Sequence, residues 1–95
     1  MTHILKVWPG EFEAVQRGVK LHEVRRNDRD FSVGDSLILR EFIPKLDQTT
    51  GQPARDENGS TIGTFTSHEV LRYVTYITPG GAWGLPADIC VLSIK

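Results

Sequence analysis

The sequence predicts a mainly β, α+β fold: a small β-barrel of five to six strands with one short helix near its N-terminus. Three observations predict it. Short runs of β-branched and apolar residues recur along the chain, separated by clusters of Gly, Pro, Asn and Asp. Helical periodicity appears only once. Strands do not alternate with helices, as a doubly wound parallel sheet requires. With 95 residues, the chain makes one domain, 1–95, with room for one modest core.

Thr2 to Val7 reads as the first strand, and Trp8-Pro9-Gly10 breaks it. From Glu11 to Arg17 the pattern turns helical, with Phe12, Val15 and Val19 at spacings of three and four. Proline ahead, acids in the first turn and Arg17-Gly18 at the end are coherent start and stop signals. Leu21 to Arg25 alternates, which puts Leu21, Glu23 and Arg25 on one strand face. Val33-Gly34-Asp35 is a turn, and Leu37 to Phe42 a strand that Pro44 ends. Residues 47–60 are polar and turn-rich, a long hairpin loop with mobile contents. Two strands follow, Thr61 to Thr66 and Glu69 to Ile77; the second offers either Val70, Tyr73 and Thr75 or Leu71, Val74 and Tyr76 to the core. Thr78 to Gly84 is a loop, and Ile89 to Ile94 closes the domain.

Composition is that of a globular protein, 39% hydrophobic and 24% charged, which excludes wholesale disorder and fibrous architecture. No run approaches the ~20 apolar residues of a membrane span, and the first residues lack the apolar core of a signal peptide. Cys90, the single cysteine, sits among Ile89, Val91 and Leu92 and reads as a buried thiol in a reducing, cytoplasmic setting. His3, His22, His68 and Cys90 have no metal-ligand spacing, so neither a metal site nor a cofactor is expected.

The formal charge is −1, but its distribution is uneven. Residues 17–29 hold Arg17, Lys20, Arg25, Arg26 and Arg29 against Glu23 and Asp28, a local excess of +3. A basic face on a near-neutral body is the footprint of an anion or phosphate-backbone binder, and equally of a solvated arginine-rich turn. Within the run, Glu23 and Arg25 share a strand face and Lys20 sits where helix gives way to strand. A carboxylate between two cations stays ionised. Such a cluster holds a polar base edge through Glu23 and an anion through Lys20 and Arg25, or else it is an ion-pair network fixing the corner.

Trp8-Pro9 before a short helix, then Gly18-x-Lys20-x-x-Glu23-x-Arg25, then Phe31-x-x-Gly34-Asp35 and an apolar strand resemble the ASCH domain, a branch of the PUA-like superfamily. The match is closest to a bacterial and phage subfamily of about this length, and its specific part lies in residues 8–42. The resemblance implies a PUA-like barrel with the helix between the first two strands. It also implies a cleft, lined by Lys20, Glu23 and Arg25, for RNA or a nucleotide-like ligand, with Gly34 and Asp35 structural. Some small relatives are amidohydrolases of acylated cytidine that use a lysine, a threonine nucleophile and a distant glutamate. Glu23 stands at the threonine's place here, and a carboxylate attacks amides poorly. A noncatalytic RNA-binding module is therefore the leading expectation. A nucleoside hydrolase with Lys20 as base and Glu23 as acid/base is the alternative, and an accessory protein that binds another protein is the third reading.

Trp8, Tyr76 and Trp83 stand at strand ends or loops, where rings either stack on bases or fill a core. Trp8 and Trp83 join Arg17, Lys20, Glu23, Arg25, Arg26 and Arg29 as candidate binding residues. Phe12, Phe31, Phe42 and Phe65 are assigned to the core.

Overall fold

A computed structural model describes residues 1–95. Its elements run β1 (Thr2–Val7), α1 (Pro9–Gln16), β2 (His22–Arg26), β3 (Ser36–Pro44), β4 (Gly63–Thr78), a 3-10 turn (Ala82–Gly84) and β5 (Ile89–Ile94). The strands form one mixed sheet in the order β1-β3-β4-β5-β2, with β1 parallel to β3 and every other pair antiparallel. No helix is long and apolar enough to cross a membrane.

Strict alternation builds the core. His3, Leu5 and Val7 of β1, Leu37 and Leu39 of β3 and Cys90, Leu92 and Ile94 of β5 all turn inward. Phe12 and Val15 of α1 close over them. Burial, and then the charge of Asp28, push the Cys90 thiol above its ordinary range. The helix starts two residues earlier than its acids indicate, because Pro9 carries the φ of a first helical position and Phe12 N–H reaches Trp8 O at 2.8 Å. Gly18, at φ 76, lets the chain leave the helix in the left-handed region. Arg72 Nη2 caps the Val15 carbonyl at 3.1 Å.

The two strands expected between Thr61 and Ile77 are one sixteen-residue strand. Its first part pairs with β3 and its last with β5, so β4 joins the two halves of the sheet. A register shift between Arg40 and Phe42, with Ser67 at φ 77, makes the break that reads in sequence as a turn. A second shift between Val74 and Tyr76 reverses the inward phase: Val70 and Val74 face the core, then Ile77 does, while Leu71, Tyr73 and Tyr76 stay outside. Neither expected set of core residues is therefore used intact. Phe65 is also not core; it is 47% exposed and meets buried Phe42 edge to face.

Loop 47–60 carries local order. Bridges pair Leu46 with Pro53 and Arg55 with Thr61. The carboxylates of Asp47 and Asp56 accept backbone N–H groups of Thr49 and Asn58.

The barrel is not closed. β1 and β2 are the outer strands and share no ladder. Arginines bridge the seam instead: Arg25 Nη2 donates to Lys6 O, and Arg29 Nη1 to Ile4 O at 2.9 Å. Two guanidinium groups satisfy β1 edge carbonyls that a neighbouring strand would otherwise take.

Candidate functional site: the cleft at the open seam

The seam widens at the C-terminal end of β1 into a cleft of about 320 Å³. Lys6 and Trp8 form one side, Glu11 comes from the first turn of α1, Lys20 from the connection between α1 and β2, and His22, Glu23 and Arg25 from β2. Alternation in β2 turns Glu23 inward, leaving it 3% exposed. The turn after Gly18 brings Lys20 over it: Lys20 Nζ lies 3.1 Å from Glu23 Oε1, and Arg25 Nη2 3.3 Å from Glu23 Oε2. Lys20 also meets Glu11 Oε2 at 2.7 Å.

Burial alone would pull the Lys20 ammonium down, but its hydrogen bond to Glu11 and the charges of Glu23 and Glu11 outweigh that and raise it above its ordinary range. The same hydrogen bond and charge lower Glu11. Lys20 is thus a fixed cation and not a proton acceptor at neutral pH. Arg25 Nε is buried and has no hydrogen-bond partner, a donor left unmet where partners are normally found.

The candidate residues divide between places. Trp8, Lys20, Glu23 and Arg25 line the cleft together. Arg17 sits at the end of α1, 3.8 Å from Glu13. Arg29 is held by Ile4 O and lies 3.8 Å from Asp28. Arg26 is exposed at the end of β2, in register with Ile89. Trp83 is 96% exposed in the β4–β5 loop, outside the cleft. Lys6, Glu11 and His22 are cleft residues that the sequence reading does not single out. For Lys6 the signal is alternation, since it is the last outward side chain of β1. Glu11 carries no such signal, since its place reads simply as a first-turn acid of α1.

Fold and cleft together define a small α+β domain with an incomplete barrel and a charged, tryptophan-edged cleft at its seam. The chain belongs to the family described as Domain of unknown function (DUF3850), whose model matches residues 2–94. No curated protein matches it.

Proposed function

We propose that the protein is a noncatalytic, PUA-like (ASCH-type) nucleic-acid-binding module that takes a nucleotide of single-stranded RNA into the seam cleft. The observation that carries this is the meeting of Trp8, 46% exposed, with Lys20, Glu23 and the unsatisfied Arg25 in one cleft. An exposed ring beside fixed cations suits a base that stacks and a phosphate that pairs. Glu23 orients both cations, and an acceptor from the ligand would relieve Arg25 Nε.

The hydrolase alternative has less support. A lysine held charged between two carboxylates does not activate a nucleophile, and Glu23 is already engaged by Lys20 and Arg25. No turnover of acylated cytidines is expected.

The test is titration of the protein with a short mixed-sequence RNA by fluorescence anisotropy. Affinity should fall as salt rises from about 50 to 200 mM, because each phosphate contact releases counterions. Trp8→Ala should weaken binding by roughly tenfold or more, the loss of one stacked base. Lys20→Ala with Arg25→Ala should abolish it, with circular dichroism confirming that the variants fold. Affinity that ignores salt, or that survives the double variant, overturns the reading.

A further inference from the structure

A second cavity, of about 230 Å³, opens at the β3–β4 bulge and is lined by Arg40, Glu41, Phe65, Ser67, His68 and Glu69. The bulge makes it. Between the pairs Arg40–Glu69 and Phe42–Phe65, Glu41 of β3 stands opposite Thr66, Ser67 and His68 of β4. Ser67 takes its left-handed φ of 77 there. Glycine would hold that turn without strain, so the serine side chain lines the cavity at a cost to the backbone, as residues at ligand sites often do. Glu41 Oε1 accepts the Thr66 hydroxyl at 2.8 Å and lies 3.2 Å from His68 Nδ1, while its Oε2 takes no hydrogen bond from the chain. Glu69 Oε2 accepts Arg40 Nε–H at 3.0 Å. The half-exposed Phe65 ring is the apolar wall.

Contacts join this cavity to the seam cleft. Lys6 lines the cleft, and its Nζ stands 4.6 Å from the centre of the Phe42 ring, which meets Phe65 at 4.9 Å. Register sets Lys6 of β1, Arg40 of β3 and Glu69 of β4 in one row across the sheet. That row spans two strand spacings, about 10 Å, which a short run of single-stranded nucleotides covers. Lys20 and Arg25 are each tied to a carboxylate, whereas Lys6 is not.

We propose that the bulge cavity is a second base subsite: building on the nucleic-acid reading of the cleft, a single strand of RNA leaves the cleft over Lys6 and lays a further base against Phe65. The ligand is then an oligonucleotide and not a free nucleotide. Lys6, the cleft cation without a carboxylate, takes the phosphate between the two sites. The cavity sets Glu41 and Glu69 against Arg40, so it turns a phosphate away and suits a base. Its ring stacks on the base face, and Glu41 Oε2 accepts from an amino group on the base edge.

The test compares cytidine monophosphate with a mixed-sequence hexaribonucleotide, both titrated into labelled protein and followed by NMR amide shifts. The hexanucleotide should bind roughly tenfold or more tightly, the gain of one stacked base, and should alone shift Phe65 and His68. Phe65→Leu keeps an apolar cover over Phe42 but removes the ring. It should abolish that gain and leave the affinity for the mononucleotide unchanged. His68→Ala, at an exposed side chain that folding does not need, should reduce the gain in the same way. A mononucleotide that binds in a Trp8-dependent way, with no gain from length or with a gain that survives both variants, overturns the second subsite and leaves the cleft reading standing. No binding of either ligand overturns both.

Discussion

Glu23 shows how much rests on one side chain. It is almost fully buried, and each carboxylate oxygen faces a cation that is itself largely covered. Truncation leaves Lys20 and Arg25 desolvated without their partner, the situation in which a broken buried ion pair is most costly. Glu23→Ala should lower unfolding free energy by about 3 kcal/mol in urea titrations, and Glu23→Gln by less, since the amide still accepts one hydrogen bond. A loss under about 1 kcal/mol, the level of an exposed pair, would mean that the network contributes little to folding. The cluster was legible in the sequence because Lys20, Glu23 and Arg25 lie within one corner, where alternation and a glycine stop fix their directions. Arg17, Arg26 and Arg29 were not separable from it, since a run of charge carries no direction. The structure sends Arg17 to a helix end and Arg29 to a β1 carbonyl. Glu11 was hidden for the opposite reason: a first-turn acid has a sufficient local explanation, and its reach to Lys20 depends on the folded turn.

Among the elements, β4 departs furthest from its sequence pattern. The polar stretch Thr66-Ser67-His68 looks like a turn, yet the chain stays in the sheet by taking a bulge. Ser67 adopts a left-handed φ, and the Glu41 carboxylate accepts the Thr66 hydroxyl at 2.8 Å across the β3–β4 pair. A side chain at such φ costs roughly 1–2 kcal/mol that glycine does not. Ser67→Gly should therefore leave stability unchanged or raise it by up to about 1 kcal/mol, despite glycine's greater chain entropy. Gly63 requires the reverse. A Cβ there would strike the Ile43 carbonyl and stand 2.7 Å from the Phe42 ring. Gly63→Ala should lower stability by about 1–3 kcal/mol, as overpacked sites do. Urea midpoints for the pair check both signs; a stabilised Gly63→Ala would mean that the arm from Ile43 to Gly63 yields easily. Periodicity found β1 and β5 because each keeps one inward phase throughout, and β3 because its phase holds from Leu37 to Leu39 and changes only at the register shift before Phe42. It could not find a strand whose phase is reset twice, since a bulge is written in backbone angles and partner register.

At the scale of the whole molecule, the open sheet has to hold β1 in place from one side. At the start of β1, Ser36 N–H donates to Met1 O at 3.0 Å. Beside it, buried Asp35 takes His3 Nε2–H at 2.8 Å, Ser32 N–H at 2.9 Å and the terminal ammonium at 3.1 Å. The turn residue that the sequence marks as structural is thus a clasp between the first strand and the third. The hydrogen bond from His3, then that from Ser32, then the ammonium, lower the Asp35 carboxyl from 3.8 to about 2. A depressed carboxyl binds its proton less readily folded than unfolded, so its contribution to stability is complete above 3.8 and disappears as pH falls through about 2. Wild-type unfolding midpoints should accordingly drop between these two values. Asp35→Asn should be less stable at neutral pH and should lose less over the same interval, because the amide has no proton to gain. The Lys20-paired Glu11, also lowered, remains in that variant and leaves a residual slope. Parallel acid profiles for wild type and Asp35→Asn would show that Asp35 does not clasp β1, and that the arginine-bridged seam and the β1–β3 ladder hold the first strand without it.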